Sequence, residues 1–185
     1  TAQVAALTQT QISAFSNAQL NAMTTTQVKA IESLDLASLS VTQVIGLQSN
    51  QVAVLTSTQI SALSVNQIGS LAARGVAEWN ATQIGALSST QVGGLKANQI
   101  VALSSQQIRD LGTASIAGLR NTQIVYIETA DMTGLGTEQM VALSARQISA
   151  FTANQMKALS TAQVQAIETN DIVALKAAQI SAMGT

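Results

Sequence analysis

Apolar side chains return along the chain every eight residues, and the register never slips. Octads such as Ser40-Val41-Thr42-Gln43-Val44-Ile45-Gly46-Leu47 and Thr56-Ser57-Thr58-Gln59-Ile60-Ser61-Ala62-Leu63 follow one pattern, [Ser/Thr]-x-x-Gln-[Ile/Val]-x-[Ala/Gly]-Leu. Counting the truncated first copy, Thr1 to Leu7, the pattern occurs 23 times. Position five is aliphatic or Met in all 23 copies, and position eight is Leu, Ile, Met, Phe or Trp in all 23. Position four is Gln in 18 and position seven is Ala or Gly in 17. One inserted residue would misalign every later apolar pair. The unbroken register therefore marks residues 1–185 as a single repeat array rather than a loop-tolerant domain.

A continuous helix does not fit this period. At about 100° per residue the apolar stripe would creep by roughly 80° per octad and spiral around the helix. The local chemistry predicts a succession of short helices instead. Ser or Thr followed three residues later by Gln is a capping box, and the apolar residues at positions eight and five stand where a hydrophobic staple needs them. Each octad thus carries its own helix start, about six residues of helix, and a sharp turn into the next copy. Helices that short are marginal alone in water. They need neighbours, and Ala or Gly at position seven permits close backbone approach. The expected fold is all-α, a superhelical solenoid with one capped helix per octad. The alternative is a β-solenoid, favoured by Ile/Val at position five and by Gln that could form ladders.

Departures from the pattern supply the candidate sites. Three octads replace Ser/Thr and Gln by Glu and Asp: Glu32/Asp35, Glu128/Asp131 and Glu168/Asp171. They admit an oxygen-ligand cation site, or simply acidic residues placed well in a first helical turn. Glu128 and Glu168 stand 40 residues apart, as do the irregular octads starting at Glu32, Ala72 and Gly112. That spacing suggests a five-octad unit, either a superhelical turn or a duplication. The most degraded copy, Ala72 to Trp79, holds the single Trp. Arg74, Glu78 and Trp79 there form either a ligand or partner contact or a local packing variation. The Gln series could present polar surface to a polysaccharide or to ice, but capping accounts for the same residues.

Composition narrows the chemistry. With no His and no Cys, the usual zinc ligands, a Ser-His-Asp triad and a Cys nucleophile are missing. A gap-free array offers no long loop to build a cleft, so no enzymatic activity and no cofactor are expected. The 8 basic and 9 acidic residues form no run, which argues against nucleic acid as a partner. No transmembrane run and no signal peptide stand out. The array starts at position two of an octad and stops inside another, without polar capping repeats. The expectation is a segment of a longer array, or ends that stack on other copies of itself.

Tracts such as Thr24-Thr25-Thr26-Gln27-Val28-Lys29-Ala30-Ile31-Glu32 and Ser160-Thr161-Ala162-Gln163-Val164-Gln165-Ala166-Ile167-Glu168 resemble the Thr-x-x-Gln-[Ile/Val]-x-Ala-Leu repeats of very large proteobacterial surface or secreted proteins, the adhesin-like type. The resemblance spans the whole chain. It implies an extracellular or cell-surface location and a structural part, adhesin stalk or filament-forming scaffold. The alternative is a repeat module that binds a surface glycan, a peptide or ice.

Overall fold

Each octad folds as one short helix that begins abruptly and closes early. The computed structural model describes residues 2–183, and among them 22 α-helices and one 3₁₀ helix succeed one another, each of four to six residues. No strand occurs among the described residues, so the array is the helical solenoid and not its β rival. Ser88 shows the start. Its backbone is extended (φ −73°, ψ 162°), its hydroxyl accepts from Gln91 N, and the helix Ser89–Val92 follows at once. The end explains why most helices are shorter than six residues. The position-eight amide donates to the position-five carbonyl three residues back, as in Leu95 N to Val92 O at 3.2 Å. This 3₁₀-type bond tightens the last turn, and the next cap residue is already extended. No described residue has positive φ, so the turns need no left-handed glycine.

The helices coil rather than run straight. Ser61 Oγ donates to Ala86 O, 25 residues on, and Arg109 Nη2 donates to Thr133 O, 24 residues on. In the other direction Gln91 Nε2 reaches Leu63 O and Ile60 O, 28 and 31 residues back. The helices that pack on one another belong to octads three apart, and the glutamine bonds reach octads four apart. One superhelical turn therefore takes between three and four octads, and each octad sits over the junction of two octads below. The 40-residue spacing of the irregular octads is not the superhelical turn; five octads overshoot it.

Positions five and eight both point inward and form one continuous core from Val4 to Leu175. Ile60, Ile68, Ile84 and Ile124 at position five are fully buried, and Leu87, Leu95 and Leu103 at position eight nearly so. Position seven meets position two of the octad three copies earlier. A Cβ on Gly118 would stand 2.1 Å from Ser89 O, and one on Gly134 would stand 2.2 Å from Ser105 O. Here the small residue is required for approach between coils, as the sequence pattern implied. No helix among the described residues is long and apolar enough to cross a membrane.

Candidate functional site

The repeated glutamine is the chemical feature that joins one coil to the next. Its position at N3 follows from the capping box, and its carbonyl oxygen does what that box requires. Gln91 Oε1 accepts from Ser88 N at 2.9 Å, and the same bond recurs at Thr56 N to Gln59 (2.8 Å) and Ser64 N to Gln67 (2.7 Å). It survives where the cap has no hydroxyl, as at Lys96 N to Gln99 (2.7 Å), Arg120 N to Gln123 (2.6 Å) and Gly136 N to Gln139 (2.8 Å).

The other end of the amide is the unexpected part. Gln99 Nε2 donates to Ile68 O at 2.8 Å and Leu71 O at 3.0 Å; Gln163 Nε2 donates to Met132 O and Leu135 O, both at 2.7 Å. The position-five acceptor, four octads earlier, already takes the position-eight amide of its own octad, and the glutamine fills its second lone pair; the position-eight oxygen just beyond takes no backbone donor among the described residues and depends on the glutamine. One side chain thus closes the start of its own helix and the end of another in the coil below. From Gln51 onward these glutamines are buried; Gln99 is fully so. They form no exposed polar face for polysaccharide or ice, and no ladder between side-chain amides. The signal was present in the sequence. A capping box accepts Glu as readily as Gln, yet position four is never Glu, because only the amide carries the two donors.

Irregular octads solve the same problem differently or leave it open. At Ala72–Trp79 the Gln position is Gly75, whose Cβ would fall 2.5 Å from Val52 Cβ and 2.6 Å from Ser49 O. The two coils approach closely there, and Trp79 Nε1 donates to Val52 O at 2.9 Å. The indole takes up a carbonyl of the kind a glutamine holds elsewhere. Trp79 is therefore a core and clamp residue, not a surface contact, because its ring is buried; Arg74 and Glu78 from the same octad are exposed. In the octad 112–119, Ser115 Oγ makes a single bond to Leu87 O at 2.7 Å.

The acidic octads have no donor to offer at this position while ionised. Asp35 and Asp171 are buried, Asp131 is half-buried, and Glu32, Glu128 and Glu168 are exposed. Among the described residues no group of three acidic side chains comes together that would hold a metal ion. Glu128 and Glu168 stand five octads apart, whereas stacked octads stand three or four apart, so the coil does not bring these units together. The octad of Glu128 also departs from the α-helix: Thr129–Gly134 is 3₁₀.

One groove on the outer surface combines aliphatic and basic lining. About 570 Å³ in volume, it runs past Val41, Ile45, Val65 and Gly69 to Lys96 and Arg120.

Against known proteins, no curated protein matches the chain. A family model described as the ALTTAQ repeat matches it twice, at residues 28–65 and 124–161. The two matches begin 124 − 28 = 96 residues apart, which is twelve octads, so both start at position five, on Val28 and Ile124. In both halves the chain is similar to that family in the same register, which supports its reading as a repeat tract.

Proposed function

We propose that the chain is a structural repeat segment of an extracellular bacterial protein, the stalk of a surface adhesin or a filament-forming scaffold, without catalytic activity. The observation that carries this reading is the identity of the contact made at each step. The same glutamine bonds and the same apolar pair recur from octad to octad, and helices pack on helices three octads away. Stability in such an array grows with length by nearest-neighbour contacts, so the property that repetition adds is reach. The surface location rests on the likeness of the octads to repeats of large surface proteins.

Two measurements test it. Small-angle scattering of the monomer should give the profile of a rod; a compact globule contradicts the scaffold. Antibodies against the chain should label intact, unpermeabilised cells that make it, and labelling only after lysis contradicts the surface location.

A second reading, a module binding a glycan, a peptide or ice, draws on the groove between Val41, Ile45, Lys96 and Arg120. Binding on a glycan or peptide array that vanishes on Lys96→Gln with Arg120→Gln would favour it over a passive scaffold. Ice recrystallisation inhibition would favour the ice arm.

A further inference from the structure

The outer positions of the octads break their polar pattern at a few places, and the coil gathers several of those breaks into one groove. Position two is Ala or polar in every copy except Val41 and Val65, which stand 65 − 41 = 24 residues, three octads, apart. Their helices pack on one another, so the two valines share the groove floor with Ile45, which is 62% exposed. Depth comes from Gly69 at position six, where most copies carry a side chain. A Cβ there would stand 3.4 Å from Lys96 Cε, so the lysine stem lies across the glycine. Lys96 and Arg120, again three octads apart, edge the groove, and no acidic residue lines it among the described residues. Between Asp35 and Asp110 the sequence holds a single acidic residue, Glu78.

The matching break is Leu34. Position three is exposed in every described octad, and every copy but this one has Ala or a polar residue there. Leu34 is 67% exposed on the helix Ser33–Ala37, and Glu32, the cap residue of that helix, is exposed two residues before it. The Glu32 carboxylate makes no capping bond, so the helix start does not engage it. An outward leucine beside a carboxylate is the chemical complement of an aliphatic floor edged by two cations. Both patches lie within the array: the helix of Leu34 packs on helices three octads before and after it, and so does the helix of Val41 and Ile45.

We infer that a second copy of this chain docks side by side, with Leu34 of one copy seated on the floor of Val41, Ile45 and Val65 of the next and Glu32 facing Lys96 and Arg120. This rests on the scaffold reading above and names the partner of its outer surface. The groove, about 570 Å³, has room for the leucine and the helix start that carries it. Covering the exposed aliphatic side chains supplies the attraction. The charges add little strength in water, but they fix the register and disfavour other pairings of the two surfaces. Copies joined in this way form a bundle wider than one solenoid.

The test uses variants built from residues that the array already carries at the same positions: Asn at three, as at Asn50 and Asn66, Glu at one, as at Glu128, and Lys at one, as at Lys176. Leu34→Asn leaves the floor uncovered. Lys96→Glu with Arg120→Glu, and separately Glu32→Lys, set like charges against each other. In sedimentation velocity at low salt the unaltered chain should associate increasingly with concentration, and added salt should weaken the association. Leu34→Asn and each charge variant should lower the association constant by about tenfold or more, with the parental circular dichroism retained. Glu32→Lys, Lys96→Glu and Arg120→Glu combined in one chain should restore association, because the exchanged charges again oppose. Association that survives Leu34→Asn, or that the combined chain fails to regain, overturns the inference. An unaltered chain that stays monomeric at every concentration overturns it too; a monomer that scatters as a rod leaves the scaffold reading standing, and a compact one removes both. A monomer that binds a fluorescent Glu-Ser-Leu peptide gives the groove to a foreign segment and overturns the docking of a second copy.

Discussion

Replacing Gln91 by Ala separates the two jobs of the repeated glutamine. The side chain is 3% exposed, accepts from Ser88 N at 2.9 Å, and donates to Ile60 O at 2.9 Å and Leu63 O at 2.7 Å. Losing the accepting bond alone costs about 1 kcal/mol, the usual scale for a capping contact. Each bond to the coil below contributes about 1 kcal/mol, and a buried carbonyl left without a donor adds its own desolvation cost of about 1–3 kcal/mol. The sum for Gln91→Ala is about 4–6 kcal/mol. Gln19→Ala is the internal comparison. It loses the same capping bond, Ser16 N to Oε1 at 2.8 Å, but makes no clamp bond among the described residues. Its cost should stay near 1 kcal/mol. Urea unfolding followed by far-ultraviolet circular dichroism reads the difference as a midpoint shift several times larger for Gln91→Ala. Equal, small shifts at both positions would refute the clamp and reduce the glutamine to a cap.

Other substitutions test the contacts between coils. Gly118→Ala puts a methyl 2.1 Å from Ser89 O, backbone that cannot swing away, and should cost about 1–3 kcal/mol; Gly112, with nothing within 4 Å of its missing Cβ, should tolerate Gly112→Ser and gain up to about 1 kcal/mol in the same unfolding assay. Trp79→Phe keeps an aromatic ring but loses the bond to Val52 O, for about 1 kcal/mol, while Arg74→Ala and Glu78→Ala should stay within about 0.5 kcal/mol of the parent. One residue inserted after Leu95 breaks the register spanned by the clamps of Gln99, Gln107 and Gln123, and calorimetry should then resolve two transitions where the parent gives one.

Much of the fold was legible because its instructions are local. Ser88, Gln91, Val92 and the preceding Leu87 lie within six residues, and together they state where a helix starts and which side chains turn inward. That each octad makes one helix follows directly. Coil closure is different. The number of octads per turn depends on small backbone angles at each junction, summed over some thirty residues, and no motif encodes that sum. The 40-residue spacing of Glu32, Ala72 and Gly112 therefore admitted either a turn or a duplication, and the winding removes only the turn. The second role of Gln was hidden for a related reason, since its acceptors at Ile60 and Leu63 belong to another coil. Trp79 stayed open between a ligand contact and a packing variation because its octad lacks both cap and Gln. Only the neighbouring coil shows that Gly75 brings the backbones together and that the indole takes the Val52 carbonyl beside those held by Gln83.

The winding itself is the central claim, and nuclear Overhauser contacts from the side-chain amide of Gln91 test it most directly. The account predicts cross-peaks to Ile60 and Leu63, 31 and 28 residues back, and slow exchange of the Nε2 protons with water. Contacts confined to Ser88 with fast exchange, or contacts to residues five octads away, would contradict it.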